Sequence, residues 1–127
     1  MNANHDLKFR FWRFPVYRDA KKFSREIRGI VDTEFPKCER YMLTAQLLRA
    51  AYSIVLNIAE GSDKTSDKEF AHYLATAHGS LNEVVACVDI ARDMNYLDDA
   101  CSERIVAMAY LLGNQLTAFR KKLVGNK

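Results

Sequence analysis

The chain reads as an all-α protein, an up-down-up-down antiparallel four-helix bundle, and three observations predict this. Its 127 residues contain two prolines, Pro15 and Pro36, so the 91 residues that follow contain none. Apolar residues recur at alternating steps of three and four over four separate stretches, the spacing of one face of an α-helix. The polar connections between these stretches are short, which forces consecutive helices to lie side by side in opposite directions. At 14.6 kDa one domain is expected over residues 1–127, with residues 1–14 forming an N-terminal arm.

In that arm Phe9, Phe11, Trp12 and Phe14 interleave with Arg10 and Arg13, a pattern able to pack on the bundle or to stack on bases. The first helix is expected to begin at Pro15, whose missing N–H would be unpaired there anyway. Val16, Tyr17, Ala20, Phe23, Ile27, Ile30 and Val31 form its apolar stripe, and Phe35-Pro36 stops it. The second is expected from Glu39 to Ala59 on Leu43, Leu47, Ala50, Ile54 and Ile58, with Gly61 placed to terminate it. Ser66 and Glu69 have capping-box spacing and set a sharp start for the third. Its stripe runs through Phe70, Leu74, Ala77, Leu81, Val84, Val88 and Ala91 to Met94. Asp98 or Asp99 caps the fourth, which carries Ile105, Met108, Leu112, Leu116, Phe119 and Leu123 and ends near Gly125. Gly79 and Gly113 lie inside helices, where close helix approach would compensate their cost.

The net charge of +3 hides a division. Residues 1–28 carry +5 and residues 120–127 carry +4, whereas residues 29–119 carry −6. An up-down bundle brings the start of the first helix and the end of the fourth to one end. The basic residues Arg10, Arg13, Arg18, Lys21, Lys22, Arg25, Arg28, Arg120, Lys121 and Lys122 are therefore candidate nucleic-acid contacts, with a solvated helix face as the alternative.

Beside the apolar stripe of the second helix runs a polar one: Gln46, Arg49, Ser53, Asn57 and Glu60. The third helix mirrors it with Glu69, His72, Thr76, Ser80 and Glu83. Antiparallel register brings Arg49 near Ser80 and Glu83, and Asn57 near His72. A hydrogen-bonded seam is expected, within the subunit or between subunits, with Arg49 and Glu83 as a buried charged pair.

The stretch Gln46–Gly61, containing Asn57-Ile58-Ala59-Glu60-Gly61, and the later Gly79-Ser80-Leu81-Asn82-Glu83 resemble the bacterial "four helix bundle protein" family. Its founding members are encoded in intervening sequences of 23S rRNA genes. Phe14–Ala20, Phe35-Pro36 and Met94–Leu97 extend the resemblance over nearly the whole chain. One departure is Leu48, where the family often has a second arginine. The resemblance implies a ring-like homopentamer without catalytic residues. It also implies kinship with a retroelement accessory protein that binds reverse transcriptase and nucleic acid.

Other chemistries find little support. Glu69-x-x-His72 has the spacing of a di-iron bundle ligand pair, but Ala75 stands three residues before His78, and His5 precedes the helices. No metal or other cofactor is expected, and no nucleophile–base–orienter set can be assembled. The longest uncharged run, Ile105–Phe119, has fifteen residues against the roughly 20 that a spanning helix needs, so no membrane partner is expected. Cys38, Cys87 and Cys101 lack CxxC spacing, consistent with reduced thiols in the cytoplasm. The expected function is a non-enzymatic oligomer binding structured RNA or a nucleic-acid-handling protein through its basic end. The alternative is a protein-interaction ring without nucleic acid.

Overall fold

A computed structural model describes residues 8–125; residues 1–7, with His5, and residues 126–127, with Lys127, lie outside the described residues. Four helices follow a short 3-10 turn at Arg10–Arg13: α1 (Pro15–Glu34), α2 (Leu43–Gly61), α3 (Asp67–Asp93) and α4 (Asp99–Val124). No strand occurs among the described residues. The strongest packing is α2 on α3 and α3 on α4, and α1 closes the bundle against α2 and α4.

The apolar stripes face one core. Phe23 and Ile27 of α1 meet Leu47, Ile54 and Ile58 of α2, Phe70, Leu74, Val84 and Val88 of α3, and Ile105 and Leu116 of α4, all fully buried. Burying one such side chain contributes about 1.5–3 kcal/mol. The ion pairs, such as Arg28–Asp32 and Arg104–Glu26, are exposed and contribute at most about 1 kcal/mol each. Apolar packing therefore holds the bundle together.

Helix ends follow local chemistry. The Ser66 hydroxyl accepts from the Glu69 N–H at 3.1 Å, and the Asp98 carboxylate accepts from the Cys101 N–H at 2.8 Å. After α3, Asn95 adopts φ 64°, and its N–H donates to the Arg92 carbonyl while that of Tyr96 donates to the Ala91 carbonyl. This pair of bonds is a Schellman closure.

Three expectations need correction. The second helix starts at Leu43 rather than Glu39, because Lys37–Glu39 forms a 3-10 turn and the Glu39 carboxylate lies 3.4 Å from the Leu43 N–H. Gly61 does not end α2 through a left-handed conformation; it is the last helical residue and is buried against α3. A Cβ there would lie 2.6 Å from Tyr73 Cβ, so the small residue serves close approach. Close approach does not explain Gly79, whose Cβ position is open, whereas at Gly113 the His78 and Leu81 side chains stand 3.4 Å away.

Candidate nucleic-acid interface and polar seam

The two basic segments meet at one end of the bundle. Phe14, before α1, packs edge-on against Phe119 near the end of α4, with ring centroids 5.2 Å apart. One turn further along, the Gln115 amide donates to Asp19 at 2.9 Å. Phe70 completes this aromatic cluster, 6.0 Å from Phe14 and 5.2 Å from Phe119. The Arg10 guanidinium lies over Phe14 and Phe70 at 5.5 and 5.6 Å. A cavity of about 640 Å³ opens beside the cluster, lined by Arg10, Phe14, Gln115, Phe119, Lys122 and Leu123 among others.

The aromatic arm packs back on the protein. Phe11 meets Tyr17 at 4.8 Å and Phe9 meets Trp12 at 4.9 Å, while Phe9 and Phe11 border a cleft shared with Glu60 and Asp63 of the α2–α3 turn. Arg18, Lys22 and Arg25 project from the exposed face of α1, and Lys21 lies over the Tyr17 ring at 4.9 Å. Among the described residues Arg13, Arg18, Lys22, Arg25, Lys121 and Lys122 have no ion-pair partner. Arg28 differs. Its guanidinium pairs with Asp32 at 3.2 Å and donates to the Tyr52 hydroxyl at 3.3 Å, contacts that favour its charged form. The Nε of Arg120 is buried without a partner in the described structure, so Arg120 is only partly available to an anion.

The polar seam exists, with different partners from those expected. Ser53 and Ser80 hydrogen-bond across α2 and α3 at 2.8 Å, which fixes the antiparallel register. The Asn57 amide donates to the Ser53 carbonyl at 2.8 Å and its hydroxyl at 3.0 Å; no Asn57–His72 bond forms among the described residues. Arg49 and Glu83 make no salt bridge. The Gln46 amide nitrogen donates to Glu83, and its oxygen accepts from Arg49 at 3.4 Å, so a neutral side chain stands between the charges. Both charges are exposed in the subunit, since their helical positions point past the Ser53–Ser80 contact to solvent. Glu60 pairs locally with Lys64 at 4.0 Å.

Glu69 and His72 are exposed beside Lys64 and Lys68, a cationic setting that disfavours a metal ion. Among the described residues no three His, Cys, Asp or Glu side chains converge to hold one. Cys38 is exposed, Cys101 half-buried and Cys87 buried; burial, then the Glu83 charge, raises the Cys87 thiol pKa. No helix among the described residues is long and apolar enough to cross a membrane.

Two features lie apart from the basic end and the seam, and the first carried no sequence signal of its own. The Tyr96 hydroxyl donates to Glu39 at 2.7 Å, tying the α3–α4 turn to the start of α2. An open groove of about 890 Å³ runs between α3 and α4, bordered by Val85, Asp89, Glu103, Val106, Tyr110 and Leu111.

These features define an all-α bundle protein with a polar seam between its two central antiparallel helices and a basic aromatic end. The chain belongs to the 23S rRNA-intervening sequence protein family, whose model matches residues 13–118. The fold is shared with a crystallised protein of unknown function from the S23 ribosomal protein family of Bacteroides thetaiotaomicron, with a TM-score of 0.76 at 21% identity. That similarity covers 84% of this chain and 98% of the other. No curated protein matches the sequence.

Proposed function

We propose that this chain is a non-catalytic, cytoplasmic RNA-binding module, assembled as a closed homo-oligomer that the family resemblance puts at five subunits. The observation that carries the reading is the convergence of two basic segments on one end, seen in the Phe14–Phe119 and Gln115–Asp19 contacts. Arg10, Arg13, Arg18, Lys21, Lys22, Lys121 and Lys122 are the phosphate contacts of this reading. Arg28 is set aside because Asp32 already neutralises it. The half-buried Phe14 and Phe119 rings beside Arg10 and Lys122 add surface suited to unpaired bases. Oligomerisation would repeat the basic end around one axis, so individually weak phosphate contacts would act together. No residue pattern here encodes base-specific readout, so this reading has RNA recognised by charge and shape.

The test is an electrophoretic shift with structured 23S rRNA fragments at about 50 and 200 mM salt. The intact protein is compared with a variant carrying Arg13→Gln, Arg18→Gln, Lys22→Gln and Lys122→Gln. Binding at the lower salt that the variant loses supports the reading. Failure of the intact protein to bind, or equal binding by the variant, leaves the protein-interaction ring, which the exposed apolar residues Leu56, Tyr110 and Leu111 favour.

A further inference from the structure

Among the exposed apolar residues, two sets lie on opposite sides of the bundle and are unlike one another. One lines a groove. Val106, Tyr110 and Leu111 of α4 are 43, 70 and 63% exposed along the cavity that α4 forms with α3. A second hollow of about 300 Å³, reaching Gly113 and His78, shares Val85, Val106 and Tyr110 and extends the groove. At its floor the Ser102 hydroxyl is buried and has no partner in the described structure, a donor offered to whatever enters.

The other surface is a ridge on α2, where Leu56 and Tyr52 are 64 and 39% exposed. Tyr52 hydrogen-bonds to Arg28, so the ridge lies on the α1 side of α2. Packing runs α1–α2–α3–α4 and back to α1, which puts the α1–α2 side opposite the α3–α4 side.

The rims carry opposite charge. Arg92 beside the groove is engaged by Asp89 and Asp93, which leaves Glu103 without an ion-pair partner among the described residues. Beside the ridge Arg28 is engaged by Asp32, and Arg49 shares Gln46 with the Glu83 carboxylate, which leaves Arg25, one turn before Arg28 on α1, without an ion-pair partner among the described residues. The groove is acidic and the ridge is basic. Two grooves would repel one another, and so would two ridges, whereas groove and ridge attract.

We propose that the α3–α4 groove of one subunit receives the Tyr52–Leu56 ridge of a second copy of the same chain, a head-to-tail contact. The proposal rests on the self-association read above and names the surfaces that mediate it. A head-to-tail contact between opposite sides uses different patches on the two partners and closes into a ring or continues as a fibre; it cannot stop at a two-fold dimer. It also separates the roles of the cations, placing Arg25 at the contact and leaving the end cluster to other ligands.

The experiment uses two variants, Leu111→Lys, which spoils the groove, and Leu56→Asp, which spoils the ridge. Both positions are exposed, so each variant should keep the circular-dichroism melting profile of its folded subunit. Analytical ultracentrifugation at tens of micromolar should show the unaltered chain as an oligomer and each variant alone as a monomer. Mixing the variants should produce a 1:1 dimer and nothing larger, because one intact groove and one intact ridge remain. Oligomerisation of either variant alone, or a mixture that stays monomeric although the unaltered chain oligomerises, overturns this assignment of surfaces. A monomeric unaltered chain overturns the self-association reading itself, and this contact with it.

Discussion

Among the glycines, Gly61 has the least room for added volume. An alanine Cβ would lie 2.6 Å from Tyr73 Cβ and 2.9 Å from the Phe70 ring, and Tyr73 Cβ is tied to the backbone and cannot swing away. Gly61→Ala should therefore destabilise the protein by about 1–3 kcal/mol, the usual cost of overpacking. Gly29 lies in α1 with nothing within 4 Å of a built Cβ. Gly29→Ala should stabilise by about 0.5–1 kcal/mol through helix propensity alone. Urea unfolding of the two variants checks both signs. Tyr96 offers a second test. Its hydrogen bond to Glu39, helped by desolvation, raises the phenol pKa from 10.0 to about 12. Because the folded value is the higher one, the contribution of the neutral phenol is complete below pH 10 and disappears as pH rises towards 12. The stability difference between the intact protein and Tyr96→Phe should shrink over that window. A difference that stays constant from pH 9 to 11.5 would show that the bond does not couple to folding.

Among the helices, the α2–α3 pair shows what a sequence can and cannot specify. The polar stripes were legible because helical periodicity and antiparallel packing are both set by the backbone, but their pairing was not: Arg49 was expected near Ser80, where Ser53 stands. The Arg49–Glu83 pair was not legible as it stands. Gln46 lies one turn before Arg49 and reaches both charges, and the rotamers that decide this leave no periodic trace. The expected large penalty for removing one charge is replaced by a small one in the separated subunit, since both groups meet water. Arg49→Ala and Glu83→Ala should each cost under about 1 kcal/mol there, with a pairwise coupling below about 0.5 kcal/mol. A double-mutant cycle measured by denaturant unfolding tests this, and a coupling of several kcal/mol would contradict it. The helix starts show the same division. Ser66 and Asp98 were readable as caps, whereas Glu39 caps α2 across a 3-10 turn that broke the apparent continuity of the helix. The Tyr96–Glu39 bond links residues 57 positions apart, and no local pattern announces it.

Across the whole molecule, the asymmetry of charge becomes a spatial one. The topology brings both basic segments together, so the +6 of residues 8–28 and the +3 of residues 120–125 largely adjoin while the −6 of residues 29–119 spreads along the bundle. This much of the candidate site was legible, because an even number of antiparallel helices returns the chain to its starting end. The withdrawal of Arg28 into an ion pair and the partial burial of Arg120 were not, since both depend on which side chains happen to adjoin. The most direct measurement is the affinity for a structured 23S rRNA fragment, followed by fluorescence anisotropy from about 50 to 300 mM salt. The logarithm of the binding constant should fall linearly with the logarithm of salt concentration. The slope should become shallower by about one for each phosphate-contacting cation removed from Arg13, Arg18, Lys22 and Lys122. Affinity that is absent at the lowest salt, or a slope unchanged when all four are replaced, would contradict nucleic-acid binding through the basic end.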